Sequence, residues 1–554
     1  MFSDPVVGEN FFGRKAIIDL LVKRADGLKS GYRQNVAIIG HQQLGKTSIL
    51  RHFLHIYTDP QILSIYVEIK FQALDYFIDQ FARSLLYQFL KATGVVDPGH
   101  SLSELVQKTS PSIPRTLKRI EEIMALLKQR HADEAYSKLF ELTSVIREET
   151  GKHCIVILDE FHRLGEFGIK NAFSDFGKRI MVQKDTMYLL SSSSFSASRK
   201  ILAEKLSLLF GNFERIYLEP FDFATSFKFI EKKLSPLAIE DSLNHFLVAF
   251  TDGQPFFLDS LSTRIKECAL AKSEDTVSKE IVALVFHRLL YESQGVLNQF
   301  FLKTLSPWTH ARTRGSQVLI LVQIAKGNNK LQDIARGINR SQKETCRQIE
   351  ELVEHELILK TGVFYRFHNK IFKFWLREVY EKKELSLSRE TGDRDNFKTD
   401  VIQRVQEHEE LLKISAADRV IKLFGLFKNE TVELGEKRKK LPHFTEFIRL
   451  DGPQPLLKGS SRKLIARGGG RCWVCKIIEE KASEKEVLDL VMTEPPGKKT
   501  AATKVLVALN GFDENARLLS KEKKILTLGL SKINMLLDIY DHSPIVYKQE
   551  TACQ

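Results

Sequence analysis

Short unbroken apolar runs alternate with amphipathic stretches through the first part of the chain. Val36–Ile39 and Ile155–Leu158 are continuous apolar runs, the pattern of a strand covered on both faces. "SIYVEIK" (64–70) and "TMYLLSSSS" (186–194) predict two more strands of the same sheet. Between them lies a helical insertion, roughly Val95 to Thr150, broken at "TSPSIP". From Gln317 the period shortens to three amphipathic helices, "QVLILVQIAKG", "KLQDIARGI" and "QKETCRQIEELVEHELI", followed by two alternating strands in "LKTGVFYRFHN". Ile334, Ala335 and Ile338 are expected to pack on Ile349, Leu352 and Val353. "FYRFHNKIFKFWLREVY" closes that unit with aromatic residues at helical spacing, read as core. The charged stretch 381–400 predicts an exposed linker. Beyond it come helices over 401–428, a hairpin at "RKLIARGGGRCWVCKIIEE", then helix, strand, helix, short strand and a last helix.

At 554 residues with 43% apolar content, the chain has room for several domains. A net charge of +13 favours contact with a polyanion such as nucleic acid. No basic leader precedes an apolar segment and no run reaches the ~18 apolar residues of a membrane span, so a cytoplasmic protein without membrane contact is expected. Of the six cysteines, Cys154, Cys268, Cys346 and Cys553 lack framework spacing and read as reduced thiols. Cys472 and Cys475 form a C-x-x-C pair within a predicted strand. Residues at i and i+3 of a strand face opposite ways, so the pair is not expected to meet on a metal or bridge.

The chemistry is concentrated in "NVAIIGHQQLGKTSILRHFL", where a strand runs into Gly40-His41-Gln42-Gln43-Leu44-Gly45-Lys46-Thr47-Ser48 and then a helix. Such a G-x-x-x-x-G-K-T loop turns backbone N–H groups toward phosphates at a helix N-terminus. Lys46 is expected on the β/γ-phosphates and Thr47 on magnesium, making ATP and Mg2+ the expected cofactors. Hydrolysis needs a metal-binding carboxylate and a base at the end of a buried strand, and "HCIVILDEF" offers Asp159 for magnesium and Glu160 for the attacking water. Ser191, Ser192 and Ser193, closing the next strand, are candidate γ-phosphate sensors.

These pieces, with "FFGRK", "VILDEFHRL", "LFGNFERIYLEPFD" and "GQPFFLDSL", resemble the archaeal-type ATPases of the STAND and origin-recognition-like branch of AAA+ proteins over about the first 380 residues. The resemblance implies a helical lid, places Phe12, Gly13 and Arg14 against the adenine side, and places Pro255 of Gly253-Gln254-Pro255 near the phosphates. It departs at Lys15-Ala16, where relatives carry an acid, and at Asn212, where they carry an arginine finger; Arg215 is the candidate replacement.

The three helices and hairpin from Gln317 read as a winged helix-turn-helix, which would present Arg340, Gln342, Lys343 and Arg347 to a major groove and Arg366 on the wing. Glu350, Glu351, Glu354 and Glu356 confine any phosphate contact to the first turns of the third helix. The last segment resembles the restriction-endonuclease-like PD-(D/E)xK family, on its hairpin-helix-strand order, Asn510-Gly511-Phe512 and "INMLLDIY". That family needs two carboxylates for magnesium and a lysine. Lys476 matches the lysine, but Val474 and Lys463 stand at the carboxylate positions. An ammonium about 4 Å from a divalent ion costs about 8 kcal/mol at an effective dielectric near 20, so nuclease activity is not expected. Asp451 or Glu479 would be the carboxylates of a shifted site, and Lys458, Arg462, Lys463, Arg467, Arg471 and Lys476 a basic face for DNA.

The expected fold is therefore α/β: a P-loop NTPase parallel sheet at 1–225, a helical lid at 226–305, a winged helix-turn-helix at 306–380, a linker at 381–400 and an inactive restriction-endonuclease-like domain at 401–554. The expected function is a Mg-dependent ATPase switch acting on or with DNA, with a homo-oligomer and a protein trigger as candidate partners. The rivals are a STAND-type signalling ATPase without DNA binding and an ATP-regulated nuclease.

Overall fold

The structure is a computed structural model and describes residues 4–70, 73–95, 97, 99, 101–205, 213–309, 315–385, 393–435, 437–450, 461–494 and 502–546. The chain divides into two units at Pro220/Phe221.

In the first unit, α1 (Lys15–Lys29) leads to β1 (Asn35–Ile39), α2 (Lys46–Ile56), β2 (Ile62–Glu68) and α3 (Leu74–Ala92). The insertion forms α4 (Leu102–Thr109), α5 (Pro114–Lys128), α6 (Ala132–Leu139) and α7 (Leu142–Thr150), with the break at the predicted Pro-containing turn. Then come β3 (His153–Asp159), α8 (Ala172–Val182), β4 (Thr186–Ser192), α9 (Phe195–Lys200) and β5 (Phe213–Tyr217). The strands form one parallel sheet in the order β2-β3-β4-β1-β5. Every residue of β1 and β4 is buried, because helices cover both faces of the central strands. One core, between the sheet and α3–α8, gathers Phe77, Phe81, Phe140 and Phe176; the other lies under α1 and α2.

The second unit begins with α10 (Phe223–Leu234), β6 (Ala238–Ile239), α11 (Asp241–Thr251), α12 (Pro255–Ala271), β7 (Thr276–Val277), α13 (Lys279–Phe286) and α14 (Val296–Leu305). The helices α15 (Gly315–Ala325), α16 (Leu331–Gly337) and α17 (Gln342–Glu354) and the hairpin β8 (Ile358–Thr361)–β9 (Phe364–Phe367) follow in the predicted order. Next are α18 (Lys370–Trp375), which runs on as a wide-turned helix to Leu385, α19 (Asp393–Lys413), α20 (Ala416–Gly425), β10 (Thr431–Leu434), β11 (Lys437–Lys440) and β12 (Glu446–Arg449). The chain closes with β13 (Arg462–Gly468), β14 (Arg471–Ile478), α21 (Glu484–Met492), β15 (Ala502–Ala508), α22 (Glu514–Glu522), β16 (Leu526–Gly529) and α23 (Leu530–Ile539). Its sheet runs β12-β13-β14-β15-β16, antiparallel on one side of β14 and parallel on the other.

Two expectations need correction. Within the expected 381–400 linker, residues 393–400 open α19, and Phe397 is 4% exposed against Tyr291 and Phe374; residues 386–392 lie outside the described residues. Nor does α19 start the last domain. It packs back on α11 and α13, where Lys279 Nζ meets Glu409 at 2.6 Å and the Phe246 ring meets His408, because its Phe397–Val401–Val405 stripe is apolar. The β8–β9 hairpin is joined to the C-terminal segment. Val363 N–H donates to Thr431 O (3.0 Å), Lys330 pairs with Glu430 (2.9 Å), and Phe364 shares a core with Val420 and Phe424.

Candidate active site

The loop after β1 turns on two residues in the left-handed region, Gln43 (φ 66°) and Gly45 (φ 88°), and α2 starts at Lys46. Gly40 opens the loop beside β5: a Cβ there would lie 2.8 Å from Leu218 O and 2.9 Å from Leu218 Cβ, so the first glycine is required by close approach. Leu44 is buried under the loop. Lys46 is 5% exposed, and its ammonium donates to Gly40 O (2.8 Å) and His41 O (2.7 Å). The Ser48 hydroxyl accepts the Val6 N–H at 3.1 Å, so its side chain holds the N-terminal segment. The His41 ring stacks on Phe195, which stacks on Tyr217.

Parallel register sets β3 between β2 and β4, and this brings the two predicted motifs together. Asp159, fully buried at the end of β3, accepts from Thr47 Oγ1 (2.7 Å) and Tyr66 OH (3.0 Å) on one carboxylate oxygen and from Ser191 Oγ on the other. Burial first, and the Asp159 charge second, raise the Tyr66 phenol well above its ordinary range, so it stays a donor. Glu160 turns out of the strand in the left-handed conformation (φ 62°). Its Oε2 accepts from Ser193 N (2.9 Å) and Ser193 Oγ (2.8 Å) and lies 3.3 Å from His162 Nδ1. Burial lowers His162 below the usual imidazole range against the pull of Glu160, which favours a neutral ring; Ser192 Oγ lies 2.9 Å from the same nitrogen. Tyr66 was absent from the expected site set, since only neighbouring-strand register carries it to Asp159; Ser191, expected as a phosphate sensor, donates to Asp159 instead.

The other expected residues are distributed more widely. Gly13 (φ 68°) and Arg14 (φ 60°) form a left-handed turn before α1, and Arg14 donates to Glu219 O. It is Phe11, next to the expected Phe12, that stacks on α2, 4.0 Å from the His52 ring. Arg215 lies exposed on edge strand β5, beside Ala37; Asn212 lies outside the described residues. Pro255 begins α12 in the second unit, after Gly253, whose positive φ (70°) and close approach to Phe221 O exclude a side chain.

Arg340, Gln342, Lys343 and Arg347 are all exposed around the start of α17, with Arg340 pairing Glu344 at 3.4 Å. Arg366, expected to face DNA, is instead only 25% exposed at its side chain, 3.9 Å from Asp538 and hydrogen-bonded to Thr361 Oγ1. In β14, Cys472 joins Val474 and α21 on one face while Cys475 joins Trp473 and α20 on the other, as the strand's period of two requires. Lys463 and Lys476 sit directly opposite each other and each donates to Asp489 of α21 at 2.6 Å. Glu479 faces the other side, near the Ala416 N–H, so it does not join Lys476 in a shifted centre; Asp451 and Lys458 lie outside the described residues.

Residues 10–170 match the AAA ATPase domain family. The AAA match thus spans the loop, Asp159 and Glu160. No curated protein matches the chain. Among solved structures it is similar to the Walker-type ATPase PABY2304 of Pyrococcus abyssi, at 16% identity over 68% of this chain and 99% of that chain with a TM-score of 0.47. The ORC2 protein of Aeropyrum pernix is similar at 13% identity over 73% and 98% with a TM-score of 0.44. The RuvB Holliday junction branch migration motor of Thermotoga maritima follows at 15% identity over 68% and 100% with a TM-score of 0.32. Among the described residues no helix is long and apolar enough to cross a membrane.

Proposed function

We propose that the chain is a Mg-dependent ATP-binding and hydrolysing switch that acts with DNA. The observation carrying the ATPase reading is the Thr47–Asp159 contact at 2.7 Å beside a P-loop lysine: two hard oxygen donors suited to magnesium next to a cradle for phosphate. Mg–ATP, when bound, supplies the transferable phosphoryl group and the cation that offsets its charge. Lys46 and the N–H groups opening α2 hold phosphate oxygens; Thr47 and Asp159 hold the metal. Ser193 and His162 fix Glu160 through Oε2, which leaves Oε1 to orient a water and take its proton. Ser192 and Ser193, Arg215, Arg14 and Pro255 are proposed as sensor and nucleotide-side residues. Lys46→Ala should remove binding of a fluorescent ATP analogue, while Glu160→Gln should bind it and release no phosphate; unchanged turnover in both would sink this reading.

The DNA part rests on the exposed cationic start of α17 in a winged helix-turn-helix order, with 226–305 as the lid and 401–554 as an inactive restriction-endonuclease-like domain. Two lysines sharing Asp489 where that family holds metal argue against a nuclease. A second reading, a protein-triggered oligomeric switch of STAND type that touches no DNA, is favoured by the capture of Arg366 by Asp538. Salt-dependent binding of duplex DNA separates the two: affinity indistinguishable from background at low salt excludes the first.

A further inference from the structure

A concavity of the first unit has none of the phosphate-loop residues in its lining. An open cleft of about 700 Å3 lies between α2, the end of β2, α3 and the start of the insertion, a size typical of ligand sites. Three tyrosines line it, Tyr66, Tyr76 and Tyr87, together with the cations Arg51, Lys70 and Arg83. Two of the cations are already balanced within the wall, Lys70 by Glu68 at 2.9 Å and Arg83 by Asp79 at 2.8 Å. Arg51 makes no ion pair among the described residues; its guanidinium lies 3.9 Å over the face of Tyr66. Among the described residues the cleft therefore offers one uncompensated cation amid aromatic rings, and Leu105 is the single aliphatic side chain of its lining. A peptide groove would call for apolar pockets. Flat rings beside a guanidinium suit bases joined by phosphates, and a duplex is too wide for a concavity of this size.

The floor of the cleft is also one side chain away from the carboxylate proposed to hold magnesium. Tyr66 is fixed at both ends, its N–H donating to Ser84 Oγ (3.0 Å) and its hydroxyl to Asp159 Oδ2 (3.0 Å). A cation over the ring polarises the phenol O–H and strengthens its donation to Asp159. A phosphate that neutralises Arg51 weakens that donation and leaves Oδ2 more available to a metal ion.

We propose that this cleft binds a segment of single-stranded nucleic acid, with phosphate on Arg51 and bases on the tyrosines, and that Tyr66 relays its occupancy to Asp159. The relay rests on the proposed ATPase reading; the binding does not. In the full-length protein without nucleotide, fluorescence anisotropy of a labelled oligothymidylate tests the binding. All proteins carry Lys343→Ala and Arg347→Ala, to silence the α17 face. Arg51→Ala and Tyr87→Ala should each weaken binding about fivefold or more, and Arg51→Glu, at an exposed position, should weaken it further. Thermal midpoints matching the parent show that each variant is folded. Equal affinity in the parent, Arg51→Ala and Arg51→Glu overturns the site, as does displacement of the oligomer by an acidic peptide at lower concentration than by unlabelled oligothymidylate. For the relay, the oligomer should stimulate phosphate release in the parent and leave it unchanged in Tyr66→Phe, with oligomer affinity retained. Stimulation surviving in Tyr66→Phe overturns the relay. A parent that binds the oligomer but releases no phosphate contradicts the ATPase reading and leaves the binding site standing.

Discussion

Asp159 takes hydrogen bonds from three side chains, Thr47, Tyr66 and Ser191, and its surroundings set an order of sensitivities. Thr47 and Tyr66 share one oxygen of its carboxylate, so a metal ion has to compete with two donors there. Ser193 is different in kind: it touches Glu160 through both N–H and hydroxyl, and Ser193→Ala keeps only the former. We expect Ser193→Ala to lower kcat about tenfold with little change in ATP affinity, since base positioning contributes up to about 10²–10⁴ in such reactions; steady-state phosphate release across ATP concentrations checks it. In the second unit, burial and then nearby Arg419 hold the imidazole of His408 down at about 4. Above the unfolded value near 6.5 the ring is neutral in both states and costs nothing. As pH falls from there toward about 4 only the unfolded chain takes the proton, so stability drops by up to about 3 kcal/mol. Urea midpoints at pH 7 and 4.5 should therefore differ less in His408→Leu than in wild type.

At the scale of elements, the strands around the loop were legible because a covered parallel sheet writes continuous apolar runs, and the loop, Asp159 and Glu160 were legible because their spacing is tied to phosphate chemistry. Tyr66 and Arg51 were not: their partners come from the order β2-β3-β4 and from the turn of α2, which no local pattern encodes. The strands β10, β11 and β12 escaped as well, being only four residues each and, in β11, wholly charged and exposed. The hairpin was read in its right place, but its junction with Thr431 and Val432 was not legible, because Gly362 looks like an ordinary turn glycine. In fact its φ is +69°, and an added Cβ would run into Thr431 O and lie 2.7 Å from Val432 Cα. Gly362→Ala should thus destabilise the second unit by about 2 kcal/mol or more through strain and overpacking, whereas Gly435→Ala, also at positive φ but with nothing within 4 Å, should cost less. Chemical denaturation of both variants gives the comparison.

For the whole molecule, the division at Pro220/Phe221 puts the AAA-matched segment in one unit and every candidate duplex-binding residue in the other. Within that second unit the positive charges are not equivalent. Arg366, Lys330, Lys373 and Arg377 pair with Asp538, Glu430 and Asp541, so they hold the hairpin and residues before and after it to the C-terminal segment. Lys343 and Arg347 stand exposed on α17. A phosphate contact releases counterions, and losing one flattens the dependence of log affinity on log salt by about 0.9. If α17 is the proposed duplex-binding face, Lys343→Ala and Arg347→Ala should each reduce that slope by about one and leave the unfolding free energy within about 0.5 kcal/mol of wild type. Arg366→Ala should do the reverse, keeping the slope and lowering stability, because it removes the hairpin's contact with Asp538 and leaves that carboxylate, among the described residues, with Lys373 alone, at 3.8 Å. Duplex titrations between low and moderate salt, paired with denaturation of the same variants, separate the two roles; a slope change in Arg366→Ala equal to that of Arg347→Ala would return the hairpin to the DNA face.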